Sequence, residues 1–189
     1  HLQHGPIDLI VEAFGPSKEI RTAYKQARNR FETLLAELVV ELSDLRKPAK
    51  ERRAEVHGAT AVRMIDAVWP HRETFVTPMA AVAGSVADEV MEALLIGRSL
   101  EKAYINNSGD IAVYLTPGAT LRLGIVGNLF EPQLDGKAEL TFDRPVRGVA
   151  TSGWQGRSWS FGIADAVTVL AISAAAADVA ATLIANAVD

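Results

Sequence analysis

Gly148-Val-Ala-Thr-Ser-Gly-Trp-Gln-Gly-Arg157, continuing through Ser158-Trp-Ser-Phe-Gly-Ile-Ala-Asp165 to the alanine-rich tail Ala174–Val188, is the stretch from which the architecture is read. It concentrates three glycines, two hydroxyl side chains and an arginine ahead of an alanine run that reads as helix. Ser152-Gly153 and Gln155-Gly156 permit φ > 0 and outward-facing N–H groups, the backbone arrangement that cradles an oxyanion or a flat ring. Arg157 adds a fixed cation. The same glycines also suit a hairpin or a strand-to-strand crossover, and at this point both readings stand.

In the tail, Asp178 and Thr182 stand four residues apart, so on a helix their carboxylate and hydroxyl share one face about a turn apart. Two hard oxygens at that spacing suit Mg2+; the alternative is a solvated or capping pair.

Upstream of Gly148, Ala138–Phe142 reads as a short strand followed by the turn Asp143-Arg-Pro145, and Leu121–Val126 as another strand. Ala103-Tyr-Ile105 runs extended into Asn106-Asn-Ser-Gly-Asp110, and Ile111–Leu115 continues to the turn Thr116-Pro-Gly118. A polar loop between strands with two amides and a carboxylate can recognise the edge of a flat ring, with Asp110 on a ribose or a metal-bound water. As a bare Ser-Gly-Asp turn it carries no such meaning.

Thr77-Pro78 predicts the start of a helix over Met79–Ile96, with a capping hydroxyl and proline at the first position. Its apolar start and interior Gly84 predict close packing on another backbone. The free N–H groups at its start offer a phosphate site, unless Thr77-Pro78 is only a cap. Ile7–Phe14 reads as a strand ended by Gly15-Pro16. Ser17 caps a helix with Ile20, Tyr24, Ala27, Phe31, Leu34, Leu38 and Leu42 on one face. Arg21, Lys25, Arg28 and Arg30 read as a solvated face of that helix or as a partner surface. Ala49–Arg53 reads as a loop or short exposed helix, and Ala61–Val68 as a helix ended by Trp69-Pro70.

The pattern is one strand, then helices, a run of strands and a closing helix. It lacks βαβ alternation, and no Gly-x-Gly-x-x-Gly opens a helix, so the expected class is α+β with a mainly antiparallel sheet rather than a Rossmann fold. With 189 residues, 49% hydrophobic and 22% charged, the chain suits a single domain over 1–189. It opens on His1 rather than a methionine, and segments before and after it are expected.

A net charge of −4 gathers neither nucleic acid nor an anionic membrane, so an anionic ligand needs local cations. There is no cysteine, which excludes disulfides, thiolate metal sites and cysteine nucleophiles. His57 and His71 lack a second histidine at ligand spacing. The longest apolar run, Ile163–Val188, contains Asp165 and Asp178 and is rich in weakly hydrophobic alanine, so it reads as buried in protein rather than as a membrane span. A cytoplasmic location is the expectation.

Asn106-Asn107-Ser108-Gly109-Asp110-Ile111, Ala150-Thr151-Ser152-Gly153 and Ala177-Asp178-Val-Ala-Ala-Thr182 occur in the order of the Gly-Gly-Asp/Asn, Ala-Thr-Ser-Gly and Ala-Asp-Ala-x-Ala-Thr motifs of FAD:protein FMN transferases, the ApbE family. The chain more closely resembles the smaller ApbE-like proteins, through Thr77-Pro-Met-Ala-Ala-Val-Ala-Gly84, Gly148–Asp165 and Ala177–Val188. That likeness covers nearly the whole chain; the likeness to the transferases is confined to short motifs.

The resemblance implies a T-fold-like architecture of two duplicated halves, each a sheet with paired helices, with the ligand where the halves meet. It implies Mg2+ and FAD as cofactors, with Asp178 and Thr182 as metal ligands. Asn107, Ser108, Gly109 and Asp110 would line the nucleotide. Thr151, Ser152 and Gly153 would contact flavin or phosphate, with Arg157 beside them. The chemistry implied is metal-assisted phosphoryl or flavinyl transfer.

One departure concerns that chemistry. Where the transferases carry His-Ile-Ile-Asp-Pro, this chain has Gly162-Ile-Ala-Asp165, leaving Asp165 as the candidate base or a second metal ligand in a place where the histidine is missing. Three readings follow: an ApbE-like enzyme acting on a nucleotide or other phosphorylated ligand with Mg2+, a non-catalytic flavin- or nucleotide-binding protein acting in a complex, and a scaffold that kept the fold without the ligand. A protein partner and a homo-oligomer stay open.

Overall fold

In the computed structural model of the chain, which describes residues 1–50, 53–127, 133–154, 156 and 160–189, β1 (Leu2–His4) and β2 (Ile7–Phe14) form the opening hairpin. Alternation along β2 buries Ile7, Leu9 and Ala13 on one face and leaves Ile10 and Glu12 on the other. Helix α1 (Ser17–Val40) buries Ala23, Ala27, Phe31, Leu34 and Leu38, spaced three or four apart, against that inner face. Its cap differs from expectation. Pro16 is the extended N-cap residue and its carbonyl accepts the Ile20 amide, while Ser17 is already helical and makes no capping bond. Leu42 falls in a separate single turn, α2 (Leu42–Leu45).

Helix α3 (Ala59–Val68) runs into a 3-10 turn at Trp69–His71. A second 3-10 turn, Pro78–Ala81, precedes α4 (Val82–Leu95), so the helix expected from Met79 begins three residues later, and Thr77 contributes no side-chain cap. Of the four basic residues on α1, Arg30 departs from the solvated face. It reaches Glu89 of α4 at 2.8 Å and Glu37 at 2.7 Å, tying the two helices together.

The remaining strands are β3 (Lys102–Asn107), β4 (Asp110–Leu115), β5 (Thr120–Ile125), β6 (Gly136–Thr141), β7 (Gly148–Ser152) and β8 (Val167–Ala171), and α5 (Ala174–Asn186) closes the set. A six-stranded sheet has the order β1-β2-β3-β4-β7-β8, and every neighbouring pair is antiparallel. The architecture is therefore α+β with an antiparallel sheet. Helices cover one face; on the other, the β5–β6 hairpin lays Leu121 and Leu140 over Val113, Leu115 and Val149.

The two helices nearest the sheet's centre, α4 and α5, meet at backbone distance. A Cβ at Gly84 would lie 2.3 Å from the Ala174 carbonyl oxygen, and one at Gly148 would lie 2.0 Å from that of Ser173. Ala150 of β7 packs with Ala177 and Ala181 of α5, so the alanine run that defines the tail is the surface by which it lies on the sheet. No helix among the described residues is long and apolar enough to cross a membrane.

Candidate functional site

The turn between β3 and β4 sets the first element of the site. Asn107 and Asp110 face each other across the ladder, with Ser108 at φ 56° and Gly109 at φ 112° between them. Both central residues are left-handed, as a tight hairpin turn requires, and Asn106 Oδ1 accepts the Gly109 amide at 2.8 Å. The turn places Asp110 two residues before Ala112, on the face of β4 that looks toward the helices.

The second element is Asp178 on α5. It is 7% exposed, and its carboxylate accepts the amides of Gly84, at 3.0 Å, and of Ala83, the first free N–H groups of α4. Asp88, one turn further along α4, in return accepts the amides of Ala174 and Ala175 at 3.1 and 2.9 Å, the first free N–H groups of α5. Each helix is capped by an acid carried on the other, and the bare anion site expected at the start of α4 is filled by Asp178.

Asp110 and Asp178 are close enough to act on one another. Burial and then the Asp178 charge push the Asp110 carboxyl up to about 9, against the opposing pull of the Thr151 amide. Burial raises Asp178 to about 7, with Asp88 adding to the rise and the Gly84 and Ala83 amides opposing it. Burial likewise raises Asp88, partly offset by its two capping amides and by Arg63. No cation among the described residues relieves Asp110 or Asp178.

The other expected residues divide. Asn107, 5% exposed, donates Nδ2 to the Ala83 carbonyl at 3.0 Å and so fixes the start of α4. Ser108 is exposed at the turn. Thr151 gives its amide to Asp110, while its hydroxyl pairs with that of Thr168 at 2.9 Å, on the opposite face of the sheet from the helices. Ser152 ends β7 on the helix-facing side, in step with Ala150. Thr182 is half-buried one turn beyond Asp178. Asp165 lies on the exposed segment after β7, where Oδ1 accepts Trp154 Nε1–H at 2.9 Å. Arg157 and Gln155 lie outside the described residues.

Gly153 does not take the outward, left-handed role expected of it. The left-handed backbone sits at Ser108 and Gly109 instead. Gly153 is buried because the chain returns over it: a Cβ there would lie 2.2 Å from the Asp165 carbonyl oxygen. Gly162 is constrained in the same way, 2.1 Å from the Ala185 carbonyl oxygen.

Carboxylate and hydroxyl oxygens are donors for a hard cation, and Asp110, Asp178 and Thr182 offer them on neighbouring elements. Asp178 has lone pairs beyond those used by its two amides. Among the described residues no three His, Cys, Asp or Glu side chains are grouped to hold a metal ion.

Residues 1–189 match the family model described as AbpE bacteria over their whole length. The chain belongs to the AbpE bacterial family. This bears out the ApbE-like resemblance carried by the Thr77–Gly84, Gly148–Asp165 and Ala177–Val188 motifs. Relatives of this AbpE chain include UPF0280 proteins of Methanothermobacter thermautotrophicus, 38% identical over 68% of the chain and 48% of the relative. A UPF0280 protein of Methanobrevibacter smithii is 42% identical over 59% and 46%, and that of Methanocaldococcus jannaschii 35% identical over 59% and 45%. The chain spans about half the length of the curated relatives it matches.

Asp88, which caps α5 beside the candidate site, is the residue that sequence reasoning missed. Its signal was present: it is the first charged residue after the apolar run Met79–Ala87, one turn beyond the glycine at which α5 crosses.

Proposed function

We propose that the chain binds a phosphorylated ligand, a flavin nucleotide (FAD or FMN) before others, together with Mg2+ at Asp178 and Thr182, with Asp110 facing them. The observation that carries this reading is the Asp110–Asp178 pair: two interacting carboxylates, Asp178 buried and Asp110 half-buried, each made a poorer anion by burial, with no described cation between them. A divalent cation arriving with phosphate oxygens compensates that arrangement. When bound, Mg2+ would neutralise charge on a pyrophosphate and orient it for phosphoryl or flavinyl transfer.

The chain's own groups have distinct parts in this reading. Asp178 presents a carboxylate while holding the first turn of α4. The Thr151 amide orients Asp110, whose ionised form a bound cation would favour. Ser108, Gly109, Ser152 and Gly153 border the same end of the sheet, Asn107 steadies it from below, and Arg157 would add its charge. The duplicated plan of sheet with paired helices belongs to the same proposal, α4 and α5 being the pair.

Gly162 favours binding without transfer. It stands where the transferases carry histidine, and the Ala185 carbonyl oxygen occupies the space a Cβ would need. A proton-handling side chain has no room there, which leaves exposed Asp165 as the remaining base. The test is titration with FAD, with and without Mg2+, followed by flavin fluorescence and AMP release. Mg2+-dependent binding that is lost in Asp110→Asn supports the reading, and AMP release separates transferase from binder. Equal FAD affinity with and without Mg2+ overturns the metal assignment.

A further inference from the structure

We propose that Phe75 and Phe161 form a stacking subsite for a flat aromatic ring, the base or flavin end of the ligand whose phosphates the carboxylate site holds; this rests on the reading above. Both rings are exposed, 60% and 78% respectively. They nevertheless meet edge to face, with centroids 6.1 Å apart and planes at 64°. That leaves a wedge with ring surface open to water, where a third ring can stack on one face.

The backbone beneath each ring is pinned. Asn186 Oδ1 accepts the Phe161 amide at 2.9 Å and the Ser160 hydroxyl at 3.2 Å, and the Ile163 amide donates to the Val188 carbonyl at 3.0 Å. Phe75 precedes buried Val76, whose carbonyl accepts the Ala49 amide at 2.8 Å. Two large apolar side chains are thus held out in water by fixed main chain, an arrangement that folding alone does not call for.

Their position follows from α5. Asp178, Thr182 and Ala185 fall at i, i+4 and i+7 and so share one face. The segment bearing Phe161 crosses the far end of that face at Ala185, about 10 Å from Asp178 at helical rise. Phe75 lies just ahead of the turn leading into α4, whose first amides hold Asp178. The ring pair and the acid pair therefore lie toward opposite ends of one face of α5, on which Thr182 is half-buried while Asp178 and Ala185 are buried, so the ligand would run past Thr182 with its ring at one end and its phosphates at the other. This is the polarity of a nucleotide.

The test is calorimetric titration of the chain with Mg2+ plus pyrophosphate, and separately with Mg2+ plus FAD. Phe75→Ala and Phe161→Ala are each expected to weaken FAD binding about ten-fold, with pyrophosphate binding unchanged. Phe161→Tyr should restore FAD affinity and Phe161→Leu should not. Because both side chains are exposed, the thermal midpoints should stay with the wild type. If the alanine variants bind FAD as tightly as the wild type, or if the wild type binds FAD no better than pyrophosphate, the ring subsite is overturned while the phosphate site stands. If the wild type binds neither probe, both fall.

Discussion

Asp88 and Asp178 each cap the helix that carries the other. Asp88 of α4 takes the amides of Ala174 and Ala175, and Asp178 of α5 takes those of Ala83 and Gly84. Free amides at a helix start carry partial positive charge, so each acid lies where it stabilises its neighbour. The exchange locks the helix pair in register and points Asp178 at the end of β4.

Asp88 should therefore matter to folding, because it caps the first turn of α5. Replacing a capping acid by alanine costs about 1 to 2 kcal/mol, so Asp88→Ala should lose about that much in urea unfolding. Asp88→Asn keeps an acceptor oxygen and should lose less. A wild-type unfolding midpoint for Asp88→Ala would show that the exchange is idle.

Stability should fall as pH rises. In the unfolded chain the acids lose their protons near the ordinary 3.8, whereas the fold holds Asp178 to about 7 and Asp110 to about 9. Between about pH 4 and about pH 9 the folded chain binds more protons than the unfolded one, so unfolding free energy declines across that window. Asp110→Asn removes the mutual repulsion and should flatten the slope. Unfolding curves for both proteins at about pH 5 and about pH 8.5 decide this; equal slopes would count against a coupled pair.

Mg2+ should oppose that decline. A cation bound only by the folded chain raises stability by about 2.7 kcal/mol at a hundred-fold excess over its dissociation constant. Differential scanning at about pH 8.5 should show a higher thermal midpoint with Mg2+ for the wild type, a smaller rise for Thr182→Val and none for Asp110→Asn. An equal rise in all three would place the ion elsewhere.

The glycines should not be equivalent. Gly148→Ala and Gly84→Ala drive a methyl group into main chain and should cost about 1 to 3 kcal/mol or more by overpacking. At Gly109 a Cβ meets nothing within 4 Å, but φ is 112°, so Gly109→Ala should cost about 1 kcal/mol through backbone strain alone. Chemical denaturation of the three variants would reverse this order if the close approaches are relaxed in solution.

What the sequence disclosed and what it withheld follow from the range of the interactions. Helix α1 and strand β2 are legible because Ala27, Phe31, Leu34 and Leu38 or Ile7, Leu9 and Ala13 repeat at the spacing of their own element. The contact at Gly84 was legible too, since a glycine within an apolar helix signals close backbone approach. The capping exchange joins residues 94 and 86 positions apart, and no local pattern encodes such a pairing. Arg30 looked solvated because it falls in the basic set with Arg21, Lys25 and Arg28, while its partner Glu89 lies on another helix. Gly153 was misread for the same reason: the backbone that crowds it belongs to Asp165, twelve residues on.

At Gly84 and Gly148 the frame is joined main chain to main chain, without an intervening side chain to repack. A linkage of this kind has no slack. A push on the first turn of α4 should displace α5 and, through Ser173, the start of β7 together, so occupancy of the proposed site at Asp178 would be felt at the sheet. On the proposed reading, ligands of different size would then be accommodated by the segments between the strands, and substitutions there would change what is bound without disturbing the frame.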